Sequence, residues 1–226
     1  MSDNPYEAPK SEILSTVQPV SDRLDDHFAN VQWPLRMRFR FWALTSKIDI
    51  EDAAGRPVLH VKQKFFKLRE HIEIFTDQTR SVKLGDITAD RIIDWSARYS
   101  FADSWGVAIG AVGRKGWRSL WRANYQSYNP GDAEPDYVIS EENPMAKFLD
   151  GMVGQIPLVG LLTLYFFHPK YSAKRINGEP VMRLTKRPAF LESRFQVDLL
   201  KQLPAREQLN LVLSIFMLAM LERRRG

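Results

Sequence analysis

EQLNLVLSIFMLAMLERRRG, Glu207 to Gly226, is the stretch on which the fold turns. Between its charged flanks, Leu211 to Leu221 holds ten apolar residues and one serine. At 1.5 Å per residue this run is about 16 Å of helix, short of the roughly 20 apolar residues that a membrane span needs. Extended backward it meets Asn210, Gln208, Glu207, Arg206 and then Pro204. Yet Leu211, Val212, Leu213, Ile215, Phe216, Met217, Leu218, Ala219 and Met220 point in every direction around a helix, leaving no face for water. Such a helix has to be enclosed. The reading is therefore a core helix over about 205–223, in preference to a tail anchor or an interfacial helix. Pro204 and Ala205 suit its start, and Arg223 to Arg225 suit the negative end of its dipole.

Strands are what the chain offers to enclose it. In RMRFRFWAL, Arg36 to Leu44, Met37, Phe39, Phe41 and Ala43 share one face; Arg36, Arg38, Arg40 and Trp42 share the other. KIDIEDAAGRPVLHVKQK, Lys47 to Lys64, reads as strand, turn, strand, with Ile48, Ile50, Leu59 and Val61 as its apolar set. ARYSFADSWGVAIGAV, Ala97 to Val112, reads the same way.

These segments repeat. IEDAAG, Ile50 to Gly55, matches FADSWG, Phe101 to Gly106, and a third copy follows. GRPVLHVKQKFFKLREHIEI, Gly55 to Ile74, aligns without a gap on GEPVMRLTKRPAFLESRFQV, Gly178 to Val197. The pairs Gly55/Gly178, Pro57/Pro180 and Val58/Val181 coincide, and Leu59/Met182, Val61/Leu184, Ile72/Phe195 and Ile74/Val197 keep the apolar phase. Repeated antiparallel hairpins close readily, because closure removes edge strands. A many-stranded barrel leaves an interior that strand side chains cannot fill, and the helix is an object that fills it. The expected fold is mainly β: a closed antiparallel barrel around a central hydrophobic C-terminal helix.

IDIEDAAGRPVLHVKQKFFKLREHIEIF, Ile48 to Phe75, resembles the repeated strand pattern of the LURP-one-related proteins, whose V-x-x-K-F-F-x-L stretch stands here as VKQKFFKL, Val61 to Leu68. Those proteins are similar to the phospholipid scramblases and to the tubby C-terminal domain. The resemblance covers roughly Trp33 to Leu221 and implies a barrel of about twelve strands around the final helix. Tubby domains bind phosphoinositides through basic residues. Scramblases carry an Asp-x-Asp-x-Asp-x-Phe calcium segment before the last helix. Here that region, Arg194 to Asn210, has Asp198 as its single aspartate, and there is no cysteine for a palmitoylated cluster. The residues do not carry calcium-dependent scrambling.

Composition bounds the rest. The chain has 226 residues, 44% hydrophobic and 26% charged, with net charge +5 and no cysteine. Disulfides, thiolate metal sites and a cysteine nucleophile are thereby excluded. The first residues, MSDNPYEAPKSEIL, lack the basic start and apolar run of a signal peptide. Residues 1–32 read as a polar, disordered leader and 33–226 as one domain. A cytoplasmic location, peripheral at the membrane, is the expectation. MVGQIPLVGLLTLYFF, Met152 to Phe167, is broken by Pro157 and Gly160 and reads as a loop running into a strand; NPMAKFLD, Asn143 to Asp150, reads as a short helix on the barrel rim.

No catalytic or metal constellation stands out. His27, His60, His71 and His168 lack metal-ligand spacing. GVAIGAVGRKG falls inside a strand pair, away from any strand-to-helix turn that could cradle a phosphate. No cofactor and no enzyme activity are expected. The candidate surface is basic. With Phe39, Phe41, Leu59 and Val61 facing the helix, Arg36, Arg38, Arg40, Trp42, His60, Lys62 and Lys64 face outward. Cations with a tryptophan suit an anionic lipid interface. The same residues could equally be ordinary strand positions paired with Asp49, Glu51 or Glu73. Two readings stay open: a non-enzymatic module for anionic lipid headgroups, and a protein-interaction scaffold using the leader and rim loops. Nucleic acid is the weaker third, since no recognised module interleaves aromatics with the cations.

Overall fold

A computed structural model describes residues 28, 30–42, 45–64, 71–89, 98–114, 124–142, 170–189 and 192–223. Of the leader read over 1–32, residues 1–27 and 29 lie outside the described residues, as do the rim helix expected at 143–150 and the apolar stretch 152–167.

Among the described residues, twelve strands and one helix follow in order: β1 (Leu35–Trp42), β2 (Thr45–Glu51), β3 (Pro57–Lys64), β4 (His71–Phe75), β5 (Lys83–Ala89), β6 (Arg98–Asp103), β7 (Ala108–Arg114), β8 (Asn124–Tyr128), β9 (Tyr137–Glu141), β10 (Lys170–Arg175), β11 (Pro180–Arg187), β12 (Ser193–Leu199) and α1 (Ala205–Arg223). Each strand pairs antiparallel with its neighbours in sequence, and β1 pairs with β12 to close the ring. The described turns β2–β3, β4–β5, β6–β7, β8–β9 and β10–β11 all lie at the end where α1 begins, here called the proximal end.

The internal repeat is a structural repeat. Asp52, Asp103 and Arg175 each donate their backbone N–H across the turn, to Arg56, Val107 and Glu179. Each of their carbonyls accepts from the turn glycine, Gly55, Gly106 or Gly178. Those glycines hold φ of 82°, 82° and 90°, the left-handed conformation that only glycine adopts without a Cβ penalty. Beside each turn the register slips at the same place. Glu51, Ala102 and Lys174 pair with Pro57, Ala108 and Pro180, while the preceding residues Ile50, Phe101 and Ala173 pair with Leu59, Gly110 and Met182. The extra residue of each bulge is Val58, Ile109 or Val181, and all three are buried. A bulge bends and twists its strand, so three equivalent bulges help curl the sheet into a ring.

The alternation read from the sequence sets the inside. Leu35, Met37 and Phe39 of β1, Ile48 and Ile50 of β2, Leu59 and Val61 of β3 and Leu184 and Val197 of β11 and β12 are buried against α1. On the helix, Leu209, Leu211 to Leu213 and Ile215 to Leu218 are each 1% exposed or less, all the way round. At roughly 1.5–3 kcal/mol per large apolar side chain removed from water, this run makes a substantial contribution to the core. Phe39 anchors it, stacked on Phe216 at 6.3 Å and meeting Phe195 edge-on at 5.3 Å. The core also takes in Phe28. No described helix is long and apolar enough to cross a membrane.

The helix also carries a polar seam toward β7, β8 and β9. Asn210 donates through Nδ2 to the Tyr128 carbonyl at 2.9 Å and to Asn129 Oδ1 at 3.2 Å. Ser214 Oγ meets Ser127 Oγ at 3.0 Å, one turn further along. Tyr137 donates its hydroxyl to Glu207. Burial first, and the Glu207 carboxylate second, push the Tyr137 hydroxyl well above the usual tyrosine range. Buried polar pairs of this kind are costly to misalign, so the seam fixes which way the otherwise featureless helix is turned.

Candidate functional site

β1 presents its arginines on the outer wall as a ladder of diagonal contacts. Arg38 lies opposite Asp49 in register but reaches past it to Glu51, at 3.1 Å. Arg40, opposite Lys47, pairs with Asp49. Arg36 donates to the backbone carbonyls of Ala53 at 2.5 Å and Asp52 at 3.3 Å, tying β1 to the β2–β3 turn. Diagonal neighbours across a twisted antiparallel pair lie within reach of long side chains. The cross-strand partners Asp49 and Glu51, which the sequence offered as the alternative, are thus engaged.

His60 sits on the outward phase of β3 but is 4% exposed, its Nδ1 2.6 Å from Asp49 Oδ1. Burial alone raises the Asp49 carboxyl; the bonds and charges of Arg40 and His60 outweigh it and hold Asp49 below its ordinary value. His60 therefore supports the wall from within and offers little to a ligand outside. Trp42 lies opposite Thr45, Lys62 opposite Lys47 and Lys64 opposite Thr45. These three are described by their backbone alone.

The ring closure adds residues that the linear sequence did not bring together. β1 meets β12 with Arg38 directly opposite Arg194, and β12 meets β11 with Arg194 directly opposite Arg187. Three arginines therefore stand side by side across β1, β12 and β11. Like charges at directly opposed positions destabilise a sheet. The local counter-charge is Glu51 on Arg38 and Glu192 on Arg194. Arg187 instead donates to the neutral Gln196 Oε1 at 2.7 Å. Arg183, further along β11, is bonded to Glu142 at 2.8 Å. Arg187 and Arg194 were missed from the sequence because nothing local pairs them with β1. The repeat carried the only hint, placing Arg187 at the position of Lys64.

A second charged group lies on β4 and β5, a third of the way around the ring. Glu73 stands opposite Asp86, with His71 Nε2 at 2.9 Å from Asp86 Oδ1. Lys83 fills the space between them, 2.9 Å from Asp86 and 3.4 Å from Glu73. These three side chains bring ligand-type atoms within 4.8 Å of one another, but the cation they hold is their own lysine. The Asp86 bond is the larger cause of a raised Lys83 pKa, working against burial.

No family model matches the chain. No curated protein matches it. Among solved structures it is similar to a protein from Arabidopsis thaliana, with 11% sequence identity and a TM-score of 0.46, covering 80% of this chain and 89% of that one. The fold stands on the barrel itself: twelve antiparallel strands, closed, with the C-terminal helix inside. That is the architecture which the resemblance to tubby C-terminal-like proteins implied.

Proposed function

We propose that this chain is a non-enzymatic binding module that associates with anionic lipid headgroups through the outer wall formed by β11, β12 and β1. The observation that carries this reading is the register that sets Arg38, Arg194 and Arg187 abreast. A fold has no structural need for three opposed guanidinium groups, and their repulsion is relieved when a surface of anionic phosphates spreads across them. Arg36, Arg40 and Lys47 extend the wall. Trp42, Lys62 and Lys64 remain part of the proposed surface by their strand positions, and His60 serves as its internal support. At a membrane, each basic residue close to an anionic leaflet contributes about 1 kcal/mol, so a few suffice for reversible binding.

The test is co-sedimentation with vesicles of neutral phosphatidylcholine and with the same vesicles carrying anionic lipid. Greater retention on the anionic vesicles, lost with Arg187→Glu and Arg194→Glu together, supports the proposal. Equal sedimentation with both vesicle types rejects it.

A further inference from the structure

The β6–β7 turn presents Trp105 at 69% exposure and Val107 at 49%, and the adjacent β4–β5 turn presents Val82 at 56%. The repeat supplies an internal control for these residues. The sister turns, with the same backbone bonds and the same left-handed glycine, carry Ala54 and Asn177 in place of Trp105, and Arg56 and Glu179 in place of Val107. The turn geometry therefore does not require apolar side chains there. The third copy exposes one apolar side chain, Ile176, at the position of Ser104; the second alone sets two together, a tryptophan and a valine, at the other two positions.

The backbone N–H groups beneath them are satisfied within the protein. Every N–H from Asp103 to Val107 has an acceptor within the protein: Asp103 gives to Val107, Ser104 to Leu84 and Gly106 to Asp103, while Trp105 and Val107 both give to the buried Asp103 Oδ1, at 2.9 and 2.8 Å. In the neighbouring turn, Asp77 accepts from Thr79 and Ser81. A segment entering a poorly hydrated medium loses water as a partner, and capped turns of this kind lose little by it. Between Ser104 and Ala108 there is no charge, while the β4–β5 turn carries Asp77 and, at positive φ, Arg80, whose guanidinium lies over the Phe75 ring at 5.8 Å.

We infer that this tip enters the interfacial zone of a lipid bilayer, with Trp105 as the anchor and Val107 and Val82 beside it. Three side chains on a convex tip fall far short of the roughly 1,000 Å² that a stable protein interface buries, whereas an indole at a membrane–water boundary needs no complementary pocket. The β6–β7 turn that carries Trp105 stands across the ring from the arginine wall, four strands from β11 and five from β1. One flat bilayer patch does not meet both, so the contact goes beyond the headgroup binding proposed above and does not depend on anionic lipid.

Neutral phosphatidylcholine vesicles isolate this contact from the arginine wall. With brominated acyl chains, the native protein should show quenched tryptophan emission on binding. Trp105→Asn with Val107→Glu, residues that the sister turns already accommodate, should bind neutral vesicles about tenfold more weakly, equivalent to about 1.4 kcal/mol. Trp105→Phe should keep binding and lose the quenching. An unquenched native protein, unchanged affinity in the double variant, or quenching that survives Trp105→Phe overturns the inference. A thermal melt of each variant confirms that the barrel is intact.

Discussion

Gly110 on β7 and Asn210 on α1 share a space that admits no more atoms: a Cβ at position 110 would lie 2.3 Å from the Asn210 side chain. The helix can approach this wall because the wall gives up a side chain where the sister strands carry Leu59 and Met182. Asn210 is fully buried and bonded to the Tyr128 carbonyl, so it cannot swing aside without breaking that bond. Gly110→Ala should destabilise the fold by about 1–3 kcal/mol. Gly113, three residues on, meets only an ordinary contact of 3.8 Å from Tyr128. Gly113→Ala should be neutral or stabilising, by at most about 1 kcal/mol. Urea denaturation of the two variants distinguishes them.

Tyr137→Phe removes the donor that Glu207 accepts from at the start of α1. Hydrogen bonds to charged groups contribute about 1.5–3 kcal/mol, and a loss in that range is expected by denaturant unfolding. Glu207→Gln should cost less, since its amide still accepts from the phenol. The native protein should also lose stability as pH rises above 10, because the unfolded tyrosine ionises there while the folded one, with its raised pKa, does not.

Acid should unfold the barrel from its carboxylates. Asp49 and Asp52 titrate below their ordinary value of 3.8, and Asp77, bonded chiefly by Thr79 and then by Ser81, is drawn down to about 2. A depressed folded pKa means that the unfolded chain binds the proton more readily. Stability from these groups is complete above pH 3.8 and declines as the pH falls toward 2. Thermal melts between pH 5 and pH 2 test this, and Asp49→Asn should flatten part of the decline.

Arg194→Gln separates binding from stability. It removes two opposed like-charge pairs together with the exposed ion pair to Glu192, so stability should change by no more than a few tenths of a kcal/mol in either direction. Affinity for anionic vesicles should fall about fivefold, corresponding to about 1 kcal/mol for one basic residue. Raising the salt concentration should weaken the native interaction progressively. Chemical unfolding and vesicle sedimentation on the same variant provide both readings.

How far the sequence carried the structure varies by element. Leu211 to Leu221 disclosed a helix that must be enclosed, and period-two alternation disclosed which residues of β1, β2 and β3 face it. The gapless repeat over Gly55–Ile74 and Gly178–Val197 disclosed equivalent hairpins. Alternation also placed Arg36, Arg38 and Arg40 on the outside. It could not show that His60, equally outward by phase, is covered, because burial depends on what packs over a strand and not on its own pattern. Nor could it set Arg187 and Arg194 beside Arg38. That arrangement arises only when the last strand meets the first, and local spacing carries no record of a long-range register. The seam of Asn210, Ser214 and Glu207 was hidden for a related reason: a polar residue in a buried helix is recognisable as a partner only once the opposing strand is known.

The order of elements has a consequence for biosynthesis. Apart from the β1–β12 seam, every strand pairs with a sequence neighbour, so the wall can assemble as it leaves the ribosome. The helix that fills it is translated after β12. Until then the nascent sheet holds a concave oily lining open to solvent and two unsealed margins, the features by which chaperones recognise a client and by which unfinished chains aggregate. The most hazardous moment in this protein's life falls just before its final helix is made.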